Sequence, residues 1–197
     1  MSTSTPGKRR YEMSSRAEDA ARTRRRLLEA AMRHFVSRPF EEVRLREIAE
    51  EAKVTAPTLH AHFHSKEQLF VSAYMWWGQG QLAHRETAPV GDPPRAVRIL
   101  FDHYEAHGDG ILRVLSQEER IATIKTMTDA GRLLHRQWVA RTFEPSLEGL
   151  TAKARERRLS ALVIATDLLA WKLLRREMGK SRKEAEQIVV EMIAGSG

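Results

Sequence analysis

Apolar residues recur at three- and four-residue intervals along almost the whole of this 197-residue chain, and no stretch alternates at the two-residue step of a strand. A chain with that period buries its apolar atoms by packing helix on helix, so the expected fold is all-α, with about nine helices. A hydrophobic content of 42% supplies a core and excludes a wholly disordered chain. The absence of cysteine excludes disulfide scaffolds and thiolate-bound metals. No apolar run approaches the ~20 residues that span a bilayer. The opening MSTSTPGKRRYEMSSR lacks the apolar stretch of a signal peptide. The chain therefore reads as soluble and cytoplasmic, with no membrane partner. Its net charge of +7 and pI near 10.0 suit a polyanion.

Three parts follow from the pattern. Residues 1–14 are polar, Ser/Thr-rich and basic, and are expected to form a disordered arm. Residues 15–77 open at a capping box, Ser15-Arg16-Ala17-Glu18, where hydroxyl and carboxylate each satisfy an unpaired helix N–H. A first stripe through Ala20, Leu27, Leu28, Ala31 and Phe35 should stop near Ser37, because Arg38 precedes Pro39. Leu45, Ile48, Ala49 and Ala52 mark a helix of about two turns. After a turn at Lys53-Val54, Thr55 caps a third helix that carries Pro57 in its first turn. A second capping box, Ser65-Lys66-Glu67-Gln68, opens a linking helix. Residues 78–197 hold five more helices. One runs from Asp92-Pro93-Pro94 to Gly108, a short one covers 111–115, and one runs from Ile121 to Glu144-Pro145. Another covers 152–178, and the last follows a third box at Ser181–Glu184.

A long helix bracing two short ones about a tight turn is the layout of a helix-turn-helix DNA reader. The residues go further. Leu27-Leu28-Glu29-Ala30-Ala31 with Phe35, Arg46-Glu47-Ile48-Ala49 with Val54-Thr55, and the run Thr58 to Leu69 closely resemble the TetR family of bacterial transcription regulators. The resemblance covers roughly a quarter of the chain. It implies an N-terminal DNA-binding head and a C-terminal helical domain for dimerisation and small-ligand binding. The chain departs from the family pattern at four positions. Lys53 replaces the usual turn Gly, Val43 a Thr, His60 an aromatic Tyr, and Pro57 a small residue.

Side chains near the start of a recognition helix reach base edges, while cations and helix N-termini grip phosphates. Thr55, Ala56, Pro57, Thr58 and His60 are placed at the groove. Lys66, Arg44, Arg22 and Arg24 are assigned to phosphates. His62, about 200° around the helix from His60, is either a DNA contact or a packing residue against the first helix. Alternating His60, His62 and His64 would converge on a metal from a strand, but here they lie on a helix and its exit, so no metal is expected. From Lys8 to Arg26, eight basic residues face three acidic ones, which suits an arm lying along DNA or a solvated tail.

In the second domain, Leu159, Leu162, Val163, Leu169 and Leu173 form one stripe of the 152–178 helix, and Ile164, Leu168 and Trp171 another. A helix apolar on two sides must be covered on two sides. Leu162, Leu169 and Leu173, with Ile188, Val189 and Met192 of the last helix, are accordingly assigned to a homodimer interface. Trp76, Phe101, Tyr104, His103, Trp138, Asp167 and Trp171 are candidates for lining an effector pocket. Aromatic residues at this spacing are more often plain core, and His103 with His107, four apart on one helical face, suits metal or anion capture or else a solvated face. Asp167 inside an apolar run would need a partner if buried.

The expected function is a homodimeric repressor that binds a palindromic operator in double-stranded DNA and is released by a small-molecule effector. The alternative is an architectural or adaptor dimer that binds DNA without sequence choice. No cofactor is expected. Nothing resembles a phosphate loop, a nucleophile elbow or a His-Glu-x-x-His pair, so the chain does not read as an enzyme.

Overall fold

The computed structural model describes residues 6–195, with side chains from Ala17 onward. These residues form helices joined by turns, and the chain divides into two compact units, Met1–Trp77 and Gly78–Gly197, the division falling within helix α4.

The first unit contains α1 (Pro6–Ser37), a 3-10 turn (Phe40–Glu42), α2 (Leu45–Glu51), α3 (Ala56–His62) and the first part of α4 (Lys66–Arg85). The arm expected to be disordered over residues 1–14 is helical from Pro6, and residues 1–5 lie outside the described residues. Proline is tolerated at a first helical position, whose N–H has no intrahelical partner. No further proline follows before Ser37, and extending an existing helix gains a hydrogen bond per residue without a new nucleus. Ser15–Glu18 therefore lies inside α1 rather than at its start. Leu27, Ala31, Phe35, Ile48, Leu59, Phe63 and Phe70 are buried together as this unit's core. Phe35 stacks on Phe40 at 5.4 Å between ring centroids and meets Phe70 edge-on at 5.1 Å. Arg33–Glu51 ties α1 to α2, and Arg38–Glu47 ties the residue just past the end of α1 to α2, each at 2.6 Å.

Lys53, where the family pattern has glycine, lies in the left-handed region at φ 55°. That conformation costs an L-residue about 1–2 kcal/mol. The turn holds it because Val54 N–H reaches the Ala49 carbonyl at 2.9 Å.

The second unit is built from α5 (Pro93–Leu115), α6 (Ala122–Thr142), α7 (Ala152–Ala165), α8 (Leu168–Lys172), a π-helical turn (Leu173–Glu177) and α9 (Arg182–Gly195). Two helix boundaries differ from the expectation. α5 does not end at Gly108 but runs on to Leu115. A Cβ at Gly108 would lie 2.5 Å from the Trp171 ring, so this glycine is a packing notch and not a stop. The single helix expected over 152–178 is broken at Thr166-Asp167. Thr166 Oγ1 donates back to the Leu162 carbonyl at 2.7 Å, and Asp167 Oδ1 accepts the Leu169 N–H at 2.7 Å. Asp167 is thus the cap that starts α8.

The break changes which side chains face inward. Leu162 and Val189, assigned above to a dimer interface, are 0% and 1% exposed and belong to this unit's own core. Ile188 is half-buried and packs against that core. Leu169, Leu173, Met192 and Ile164 are exposed, Leu169 and Ile164 at 60% and 65%. Phe101, Tyr104, Trp138 and Trp171 are core residues, and Trp76 is half-buried. His103 is buried rather than on a solvated face, its Nδ1 2.9 Å from Gln81 Oε1. Arg175 pairs with Glu105 at 2.6 Å and Arg182 with Asp102 at 2.6 Å, fastening the later elements to α5.

Candidate nucleic-acid interface

Seven residues are too few for a helix to persist alone in water, so α3 depends on its cap and its packing. Thr55 supplies the cap: its Oγ1 accepts the Thr58 N–H at 3.3 Å and lies 2.8 Å from Thr58 Oγ1. Leu59, wholly buried, and Phe63, just past the helix end, anchor α3 in the core. The opposite side is open. Thr55, Ala56, Pro57 and His60 are exposed, and Thr58 and His62 half-buried. The structure thus brings all the residues expected at the groove onto one short helix and its cap, with the N-terminal half at the surface. His64 lies beyond the helix end, so the three histidines do not share a face.

The exit from α3 is held by a reciprocal cap. Ser65 Oγ accepts the Gln68 N–H at 3.1 Å, and Gln68 Oε1 accepts the His64 N–H at 2.7 Å. Lys66 therefore sits in the first turn of α4, as the sequence suggests. Its ammonium donates to the Glu41 carbonyl at 3.1 Å and lies 4.7 Å from the centre of the Phe40 ring. Burial lowers its pKa from the usual lysine value, with Glu67 and Glu41 opposing. An ammonium has three donors, so this anchoring leaves it able to meet a phosphate.

The arginines differ in role. Arg44 is exposed at the position preceding α2, and Arg22 is exposed and paired with Asp19. Arg24 has a second task that its place in a basic run did not reveal. Its guanidinium lies 4.5 Å from the centre of the Phe63 ring, and Nη1 donates to the His62 carbonyl at 3.5 Å. Arg24 thus braces the end of α3 against α1. That contact joins residues far apart in sequence, and no local signal could have announced it.

A short capped helix exposed at its N-terminal half, preceded by a tight turn and a second short helix, is a helix-turn-helix of the DNA-binding class. Residues 27–73 match the family model for bacterial regulatory proteins of the TetR family. Through this N-terminal segment the chain is similar to the TetR family. It is 31% identical over 98 residues to the HTH-type transcriptional repressor NicS of Pseudomonas putida, a match covering 47% of this chain and 46% of that protein. It is also 27% identical over 100 residues to the uncharacterised HTH-type transcriptional regulator YerO of Bacillus subtilis, covering 47% of this chain and 35% of the relative. The chain thus spans less than half the length of the curated relatives it matches. A solved transcriptional regulator from Rhodococcus sp. Rha1 superposes with a TM-score of 0.67 at 19% identity, over 87% of this chain and 94% of that one. At that identity the likeness concerns the fold. No helix among the described residues is long and apolar enough to cross a membrane.

Proposed function

We propose that this chain is a sequence-specific transcriptional regulator, acting as a homodimeric repressor on a palindromic operator and released by a small-molecule effector held in the second unit. The observation that carries the reading is the exposed N-terminal half of α3, anchored from behind by Leu59 and Phe63. Ala56 and the threonine methyls can meet thymine methyls, while Thr58 and the His60 imidazole can hydrogen-bond base edges. Lys66, Arg44, Arg22 and Arg24 supply phosphate contacts. His62, half-buried beside Phe63, belongs to the support of the helix.

Dimerisation is supported by the exposed Ile164, Leu169, Leu173 and Met192 on the last elements, apolar side chains that a second copy would remove from water. It also suits the task, since one recognition helix reads few base pairs and a two-fold pair reads half-sites roughly 34–36 Å apart. The test is selection of bound DNA from a random pool at near-physiological salt. An enriched palindrome is the expected result. Recovery of bulk DNA alone, with a steep salt dependence, would favour the architectural alternative.

A further inference from the structure

A guanidinium is buried in the second unit, and among the described residues no carboxylate is hydrogen-bonded to it. Arg85, at the end of α4, is 9% exposed. Its side chain lies over the Trp138 ring at 4.5 Å, and the Trp138 Nε1–H donates to the Arg85 carbonyl at 3.0 Å. Arg85 Nη2 donates to His135 Nδ1 at 2.7 Å. Because arginine can only donate, His135 Nδ1 must accept, so the ring proton resides on Nε2. Nε2–H then meets Thr166 Oγ1 at 3.2 Å, and the Thr166 hydroxyl donates to the Leu162 carbonyl at 2.7 Å. The Thr166 carbonyl in turn accepts the Tyr104 hydroxyl at 3.0 Å. Every partner in this chain is neutral. Burial, and then Arg85 itself, push the His135 pKa down to about 3. The neighbouring Glu86 is engaged by Arg141.

Arg85 Nε–H, on the same edge of the fork as Nη2, is buried and meets no acceptor among the described residues. A buried charge without a counter-charge, and a buried donor without an acceptor, are each costly. A carboxylate presented to that edge would supply both, in the bidentate geometry that arginine favours. We propose that Arg85 is the recognition point for a monoanionic small molecule, a carboxylate carried on an apolar body, bound where α4, α5, α6 and the α7–α8 break meet. This rests on the reading of the second unit as the effector domain. The charge count selects a monoanion: Arg85 offers one positive charge, and a phosphate dianion would remain half unbalanced. The body follows from the surroundings, with Trp138 covering the guanidinium, His135 stacked on Trp138 at 6.0 Å and Phe143 edge-on to it at 6.0 Å. Sited against the Thr166 break, the anion competes with His135 for the guanidinium and so bears on the joint between α7 and α8.

The test compares formate, acetate and benzoate with formamide, acetamide and benzamide, at matched ionic strength, by thermal unfolding and titration calorimetry of the full chain. A ligand that binds only the folded state raises the unfolding midpoint. The expected result is a rise of a few degrees for at least one carboxylate over its amide. That difference is lost in Arg85→Met and reduced in Arg85→Lys, which keeps the charge without the fork. Equal responses to every carboxylate and its amide, or a difference that survives in Arg85→Met, would overturn the proposal. Should Arg85→Met not fold, the comparison of acid with amide on the unaltered chain and on Arg85→Lys decides alone. DNA selection separates the two readings. A selected palindrome with no carboxylate-specific shift ends the anion site and leaves the regulator. A carboxylate-specific shift without selected DNA does the reverse.

Discussion

In the proposed complex with DNA, Lys66 and His60 would make two kinds of contact, and substitution separates them. Removing the Lys66 ammonium takes away a charge that, on this proposal, would meet every sequence alike. Lys66→Ala is expected to weaken binding to all DNA and to flatten the salt dependence by about one unit, measured as log K against log salt. An unaltered slope would return Lys66 to the purely structural role its bond to Glu41 already provides. His60→Ala is expected to relax preference at one position of each half-site, read from selected sequences. His135 makes a prediction of a different sort. Its folded pKa of about 3 lies well below the ordinary 6.5, so between those values the unfolded chain binds a proton that the folded chain refuses. Stability therefore falls on acidification through that window, by up to about 1.4 kcal/mol per pH unit for this group. His103, also lowered to about 3 by burial, adds in the same direction. His135→Asn should shallow the slope of urea-unfolding free energy against pH between those limits. An unchanged slope would mean that His135 takes up its proton in the folded state.

At the scale of elements, the two helix boundaries of the second unit that differ from the sequence pattern have separate causes. Gly108 sits within α5 because Trp171 fills the space a side chain would occupy. Gly80, inside α4, has no atom within 4 Å of such a Cβ. Gly80→Ala should stabilise the chain by up to about 1 kcal/mol, the helix preference of alanine over glycine. Gly108→Ala should destabilise it by about 1–3 kcal/mol, since overpacking against a buried indole outweighs that preference. Chemical denaturation of the pair measures the contrast, and equal effects would show that Trp171 moves aside freely. The α7–α8 break, by contrast, is local. Thr166 turns back on Leu162 while Asp167 caps forward on Leu169, so the chain carries an end and a start side by side.

For the whole molecule, the exposed apolar residues are where the proposed homodimer is tested. Leu169→Glu with Leu173→Glu leaves the unit's core untouched and places charge where the proposed partner would pack. The variant should sediment as a monomer with its helix content retained. A dimer that persists would move the interface elsewhere. The same substitutions at Leu162 and Val189 would test something else, because those side chains are wholly covered within the chain and their loss would unfold the unit.

What the sequence determined by itself is what is decided within four residues. The helical period, the cap at Thr55, the paired cap of Ser65 and Gln68, the stop before Pro39 and the strained turn at Lys53 all rest on bonds or clashes between near neighbours. That is why the DNA-reading segment, built almost wholly from such local signals, was legible. Three matters waited for the tertiary structure, because each depends on a residue brought from far along the chain. Gly108 became a notch only once Trp171 lay against it. Arg24 became a brace only once Phe63 came beneath it. Apolar periodicity cannot say whether Leu162 or Leu169 faces inward when a helix is apolar on two sides. The break at Thr166 and the packing of α5 and α9 decide it, burying the first and leaving the second exposed.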